Sequence, residues 1–138
     1  MTAVFASPHG GDREFVRSLF GEAGWKLIET ESCTKTLVEL KRHPVDLVIA
    51  DRDVAGGGWR ILLGAVTRMP SGPPLIVTSR LADERLWAQV LHEGGYDILV
   101  QPFEREEVVR VVSAATRHRR NQEARRAAPR PKTFTAGI

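Results

Sequence analysis

The chain has 138 residues, of which 42% are hydrophobic and 27% are charged, as in an ordinary globular protein of one domain. A single cysteine excludes an internal disulfide framework, and no apolar run approaches the roughly 18 residues of a membrane span. We therefore expect a cytoplasmic protein without a membrane segment. The net charge of +3 is uneven: residues 117–138 hold seven Lys and Arg and one acidic residue, whereas the rest holds 13 basic and 16 acidic residues.

Short apolar runs alternate with amphipathic stretches along the chain. The predicted strands, in chain order, are Ala3–Ser7, Lys26–Glu29, Leu47–Ala50, Leu75–Thr78 and Ile98–Val100. The predicted helices between and after them are Asp12–Ala23, Lys35–Arg42, Trp59–Arg68, Asp83–His92 and Arg105 to about Arg119. This alternation predicts an α/β fold of the flavodoxin-like, doubly wound type, (βα)5, with a five-stranded parallel sheet in the order 2-1-3-4-5.

The basic C-terminal segment differs from the rest of the chain because it is poor in apolar residues and contains proline. We assign residues 1–118 to one domain and residues 119–138 to a basic tail. The first tail residues can extend the last helix, but beyond about Arg120 we expect no fixed structure. The +6 charge of residues 117–138 allows non-specific, salt-sensitive attraction to nucleic acid, without a motif for sequence readout.

The segment DLVIAD contains the predicted third strand, and Asp51 follows directly at the carboxyl end of this strand. Its uninterrupted apolar residues are typical of a strand buried on both faces of a parallel sheet. Open α/β sheets bind ligands at the carboxyl ends of their strands, so Asp51 is the candidate functional residue. The next strand ends with Thr78, and Ser79 follows it, at the same edge of the predicted sheet. A purely structural role, in which Asp51 accepts N–H bonds from the following loop, remains the alternative.

These residues resemble the receiver domain of two-component response regulators, of the chemotaxis-receiver type, over about residues 1–118. The matching segments are the strand that ends in Asp51, the strand PLIVTS that contains Thr78 and Ser79, and GGYDILVQPF, residues 94–103. The resemblance implies that Asp51 is the phosphoacceptor and that Thr78 senses the phosphoryl group, with Ser79 beside it. It also implies a sensor histidine kinase or another signalling protein as partner.

Several positions depart from the receiver pattern. Ser7 and Pro8 stand where receivers carry two acidic residues that hold Mg²⁺, and Gln101 stands where they carry a lysine. Ile98 replaces the aromatic switch residue of the fifth strand. Because Asp51 is then the main remaining carboxylate, we expect no cofactor and at most weak metal binding through Asp51. The resemblance is therefore to an atypical receiver, with an incomplete Mg²⁺ and lysine site.

The rim of the predicted site contains further polar residues. Asp53 and Arg80 occupy positions that flank the acceptor in receivers, and they could form an ion pair across the mouth of the site or an unimportant exposed pair. Asp12 is expected to cap the first helix. The resemblance also implies a cis peptide bond between Gln101 and Pro102.

Three functions are compatible with this sequence. The first is a phosphoryl-accepting receiver that signals through the face formed by the fourth helix, the fifth strand and the fifth helix, which could also form a homodimer. The second is a pseudo-receiver, a protein-interaction module that works without phosphorylation. The third, less favoured, is a non-specific nucleic-acid binder. No nucleophile and base pair is evident, so we do not expect an enzyme.

Overall fold

The computed structural model describes residues 1–81 and 83–128. Its strands are β1 (Thr2–Ala6), β2 (Lys26–Thr30), β3 (Leu47–Asp51), β4 (Leu75–Ser79) and β5 (Asp97–Val100). Its helices are α1 (Gly10–Ala23), α2 (Cys33–Arg42), α3 (Trp59–Arg68), α4 (Glu84–Glu93) and α5 (Arg105–Ala127). The strands form one sheet in the order β2-β1-β3-β4-β5, and every neighbouring pair is parallel. The predicted fold class and strand order are confirmed.

The sheet separates two hydrophobic clusters, and the alternation of side chains along the central strand β3 supplies both. Val48 and Ala50 belong to the cluster covered by α2, α3 and α4, whereas Leu47 and Ile49 belong to the cluster covered by α1 and α5. All five residues of β3 are buried. This double burial explains the continuous apolar run in the sequence and places the polar end of the strand at the sheet edge.

The last helix continues further than the sequence predicted. Fixed structure was expected to end near Arg120, and this expectation is wrong because α5 runs to Ala127. Arg126, within the added turns, donates hydrogen bonds to the backbone carbonyl of Pro70 and to the hydroxyl of Ser71. Arg119, just before the added turns, donates to the backbone carbonyls of Val45 and Ser71. These contacts anchor the helix to the loops that precede β3 and β4. The pattern of hydrophobic residues in the sequence could not predict such contacts, because their partners are far apart along the chain.

Residues 129–138 lie outside the described residues, so the expectation for them stays a prediction. Among the helices that the structure describes, none combines the length and apolar character needed to cross a membrane.

An ion pair joins α1 to β2 on the surface. The Arg17 guanidinium donates to both carboxylate oxygens of Glu29, at 2.6 and 2.7 Å. The hydrogen bond from Arg17 lowers the pKa of Glu29 below its ordinary value of 4.5. The pair therefore stabilises the folded state while Glu29 is ionised and stops doing so once acid protonates it.

Candidate functional site

Asp51 ends β3 and lies opposite Thr78 of β4, in the register of the parallel sheet. Its side chain is 4% exposed. The Oδ1 atom accepts the backbone N–H of Asp53 at 3.0 Å, and Oδ2 accepts the Thr78 hydroxyl at 3.4 Å. The structure thus brings together the two strand-end residues that the sequence singled out, and both carboxylate oxygens of Asp51 have partners within the fold.

Gln101 follows β5 and is 2% exposed. Its Nε2 atom donates to Oδ2 of Asp12 at 2.8 Å and to Oδ2 of Asp51 at 3.3 Å. One neutral amide therefore lies between two carboxylates. Its Oε1 atom is buried without a hydrogen-bond partner among the described residues. The peptide bond from Gln101 to the exposed Pro102 is cis, as the resemblance implied.

Asp12 lies in this site, although the sequence assigned it to helix capping. That assignment is wrong, because the N-cap of α1 is His9 and Asp12 lies in the first turn of the helix. The Asp12 carboxylate accepts from the Arg80 guanidinium at 3.1 Å, in addition to its contact with Gln101. A useful signal existed in the sequence: in a parallel βα unit, the first turn of the helix lies at the same edge as the strand ends.

Arg80 follows β4 and was expected to pair with Asp53. That expectation is also wrong, because Arg80 pairs with Asp12 on α1. Asp12 is the more buried carboxylate, with its side chain 14% exposed, and Gln101 fixes it beside Asp51. Asp53 is exposed and contributes its backbone N–H to Asp51. The guanidinium therefore neutralises the side of the site that α1 supplies.

Ser7 and Pro8 place no charge in the site. Ser7 is fully buried, and its hydroxyl accepts the backbone N–H of His9 at 3.1 Å. Pro8 is exposed on the following turn. Ser79, next to Thr78, is 3% exposed and accepts the backbone N–H of Leu81 at 3.1 Å. The two serine hydroxyls thus hold the loops after β1 and β4.

Ile98 of β5 is half-buried and packs against the hydrophobic cluster that α2, α3 and α4 cover. It lines a shallow hollow of about 360 Å³ together with Leu81, Trp87 and Val100. Leu81 is 62% exposed and Trp87 is 52% exposed. The fourth helix and the fifth strand therefore present an apolar surface next to the loop that carries Arg80.

The donor set of the site does not match a magnesium centre. One ligand atom each from His9, Asp12 and Asp51 lies within 4.8 Å of the others. Mg²⁺ prefers octahedral coordination by oxygen atoms. One or two carboxylates without other partners usually supply some of these atoms, and bound waters supply the rest. Here Oδ2 of Asp12 already accepts from Arg80 and Gln101, and the third ligand is an imidazole. The residues present do not fit the Mg²⁺ ion that the receiver resemblance implies.

Comparisons with known proteins find response regulators and receiver domains among the proteins similar to this chain. No family model matches the chain. The response regulator protein FleR of Pseudomonas aeruginosa is 32% identical over 91 residues, which are 65% of this chain and 19% of FleR. The chain thus spans about a fifth of the length of this curated relative.

Solved receiver domains superpose on most of the chain. The signal receiver domain of an HD domain-containing protein from Pseudomonas fluorescens has a TM-score of 0.82 and 21% identity, over 90% of this chain and 92% of that chain. The chain has the fold of response regulator receiver domains. The receiver domain of the Francisella response regulator 1452 gives a TM-score of 0.77 at 19% identity, over 85% and 97% of the two chains. A two-component response regulator from Clostridium difficile gives 0.76 at 15% identity, over 85% and 96%. The receiver resemblance proposed from the sequence is confirmed at the level of the fold.

Proposed function

We propose that this chain is a receiver-type signalling module that acts through protein contacts, and that its own side chains, instead of Mg²⁺-dependent phosphorylation, set the state of the Asp51 pocket. The observation that carries the proposal is the position of Gln101. Its amide nitrogen lies 2.8 Å from the carboxylate of Asp12 and 3.3 Å from that of Asp51. A neutral group thereby joins the two acids.

The chemistry of phosphoryl transfer supports this proposal. A phosphoryl group on Asp51 would add negative charge beside the Asp12 carboxylate, and such transfer depends on positive charge around the equatorial oxygens. Gln101 can donate a hydrogen bond but carries no charge. Arg80 is charged, but it contacts Asp12 and its side chain is 57% exposed. The pocket is thus well arranged to hold a carboxylate in place and poorly arranged to stabilise a phosphorylated one.

A second candidate function is slow phosphorylation of Asp51, and the arrangement of the strand ends favours it. Thr78 lies opposite Asp51 and donates to Oδ2 at 3.4 Å, so a hydroxyl is available next to the acceptor oxygen. Asp51 would be the only acceptor in this arrangement, and its modification would be slow and weakly dependent on Mg²⁺.

Intact-protein mass spectrometry after incubation with a small phosphodonor separates the two candidates. The chain is incubated with acetyl phosphate or phosphoramidate, with Mg²⁺ or with EDTA, and Asp51→Asn serves as the control for the acceptor. We expect little added phosphoryl mass and no effect of EDTA. Rapid stoichiometric labelling that EDTA abolishes and that Asp51→Asn lacks would contradict the proposal.

The apolar surface formed by α4 and β5 is the proposed contact surface for a partner. The candidate partners are a sensor histidine kinase, another signalling protein and a second copy of the chain. Leu81 and Trp87 expose more than half of their surface there. Sedimentation over a range of concentrations tests the homodimer. We expect Trp87→Ala to weaken self-association, whereas Val38→Ala, at a 47% exposed position on α2, leaves it unchanged. A chain that is monomeric at every concentration would exclude the homodimer.

A further inference from the structure

We propose that the outward side of α5 binds the phosphate backbone of duplex DNA without reading its base sequence. Four arginines on this side of the helix carry the proposal, and we call them the outer arginines: Arg110, Arg117, Arg120 and Arg125. The site lies apart from the Asp51 pocket. The inference therefore goes beyond the proposed function and does not depend on it.

The arginines of α5 divide between two sides of the helix. The buried residues lie on one side, as a repeat of about 3.6 residues per turn requires: Val108, Val111, Val112, Ala115 and Thr116. Arg119 and Arg126 fall on this inner side and donate hydrogen bonds to the loops that precede β3 and β4. The outer arginines fall on the opposite side, within an arc of about 140°. All four are exposed, so they are available to a partner.

Within the described part of the chain, no carboxylate forms a salt bridge with the outer arginines. Arg119, on the inner side, pairs instead with Asp46 and Glu123. The other acidic residues of α5, Glu106 and Glu107, lie in its first turn. The positive charge of the outward side is therefore concentrated in the second half of the helix.

The length of this charged side suits the backbone of a duplex. A rise of about 1.5 Å per residue places Arg110 and Arg125 about 22 Å apart along the helix axis. Duplex DNA carries about one negative charge per 1.7 Å of its axis, so several phosphates lie within this span. A guanidinium donates two parallel hydrogen bonds to a phosphate, and each neutralised phosphate releases counterions. The outer arginines can thus supply up to four phosphate contacts.

The side chains between the outer arginines favour a duplex over a lipid surface or a single strand. They are small or polar: Ser113, Ala114, Asn121 and Ala124. A helix that lies in a membrane surface buries large apolar residues beside its basic ones, and the apolar side of α5 is already packed in the core. Single-stranded nucleic acid is bound by stacking of its bases on aromatic side chains, which the outward side of α5 does not carry.

The charge of the rest of the chain restricts the contact to this surface. Residues 1–116 hold 13 basic and 16 acidic residues, so the body of the protein does not attract a polyanion. The second half of α5 lies near the amino end of β3, because Arg119 bonds to the carbonyl of Val45 just before this strand. Asp51 ends the same strand, which is about 16 Å long. The DNA surface and the Asp51 pocket therefore occupy opposite edges of the sheet.

Fluorescence anisotropy of a labelled duplex oligonucleotide, titrated with the full chain over a range of salt concentrations, tests the surface. Four phosphate contacts predict a slope of about −3.6 for log K against log salt, or a loss of roughly 150-fold in affinity between about 50 and 200 mM salt. The triple variant Arg117→Gln/Arg120→Gln/Arg125→Gln should reduce the slope by about 2.7 and weaken binding more than about tenfold. The single variant Arg117→Gln, which perturbs the helix least, should reduce the slope by about 0.9.

The matched control is Lys35→Gln/Lys41→Gln/Arg85→Gln, which removes the same charge from exposed positions on α2 and α4. Its affinity should stay within about twofold of the wild type, because these residues lie off the proposed surface. A second duplex of unrelated sequence should bind with the same affinity as the first.

Five results would overturn the inference. The first is the absence of salt-sensitive binding at low salt, and the second is an equal loss of affinity in the two triple variants, which would indicate an effect of net charge alone. The third is a loss on Arg130→Gln/Lys132→Gln without a loss in the α5 triple variant, which would place binding in residues 129–138. The fourth is tighter binding to phosphatidylserine vesicles or to a single strand than to the duplex. The fifth is a strong preference between the two duplex sequences.

Discussion

The pairing of Arg80 with Asp12 predicts a specific energetic coupling to Asp51. The two carboxylates have atoms no more than 4.8 Å apart. Two unit charges at this separation repel by about 3 kcal/mol at an effective dielectric constant near 20. Arg80 offsets part of this repulsion, but its side chain is 57% exposed and therefore screened by solvent. We expect Arg80→Gln to lower the free energy of unfolding by roughly 1–2 kcal/mol.

The same substitution should cost much less when Asp51 is already Asn, because the repulsion that Arg80 offsets is then absent. Urea unfolding of the wild type, both single variants and the double variant gives this coupling energy. It should shrink in 1 M salt, where the Debye length is about 3 Å. Arg60→Gln is the matched control, since Arg60 pairs with Glu93 on another surface and its effect should add to that of Asp51→Asn. An equal cost of Arg80→Gln in both backgrounds would refute the reasoning.

Three further predictions concern the fold, and urea unfolding measures each. Glu29→Gln should reduce the free energy of unfolding at neutral pH. The difference in this free energy between variant and wild type should vanish as the pH falls through the lowered pKa of Glu29. A difference that stays constant in acid would contradict this prediction. Leu62→Ala should lower the free energy of unfolding by about 2–5 kcal/mol because Leu62 is fully buried. Ile61→Ala, at the adjacent position that is 45% exposed, should lower it by less than about 1 kcal/mol. Arg119→Ala should lower the free energy of unfolding by about 1–2 kcal/mol, because the hydrogen bonds from Arg119 to the loop carbonyls are lost. Substitution of the neighbouring exposed residue, Arg120→Ala, should change it by less than about 0.5 kcal/mol. Equal effects would mean that the anchoring contacts contribute nothing.

The fold could be predicted from the sequence because its signals are local. The apolar run that ends at Asp51 has the length and pattern of a central parallel strand, and the observed strand, Leu47–Asp51, is one residue longer than predicted. Gly24 and Gly94 end α1 and α4 in the αL conformation, which glycine adopts most readily, so these two helix ends are also local features of the sequence. The extent of α5 was missed because Arg126, in the added turns, is anchored to Ser71, which is 55 residues away in sequence.

The strand-end residues of the candidate site could be predicted from the sequence, but the hydrogen bonds and ion pairs of the site could not. The positions of Asp51 and Thr78 follow from strand register alone. The partner of Arg80, in contrast, depends on which of two acids the loop after β4 approaches, and spacing carries no such information. Arg80 and Asp12 are separated by 68 residues, so their contact forms only in the folded chain. Gln101, whose amide joins the carboxylates, could be located by motif but not assigned its contacts.

The most direct test of the central claim is the ¹H–¹⁵N spectrum of the Gln101 side-chain amide, recorded before and after addition of Mg²⁺ and a phosphodonor. Because its nitrogen is buried and donates to Asp12 and Asp51, we expect a resonance protected from solvent exchange that Asp51→Asn shifts. Mg²⁺ and the phosphodonor should leave it unchanged. Displacement of this resonance by Mg²⁺, together with shifts in the loop after β4, would contradict a pocket whose state is set by its own side chains.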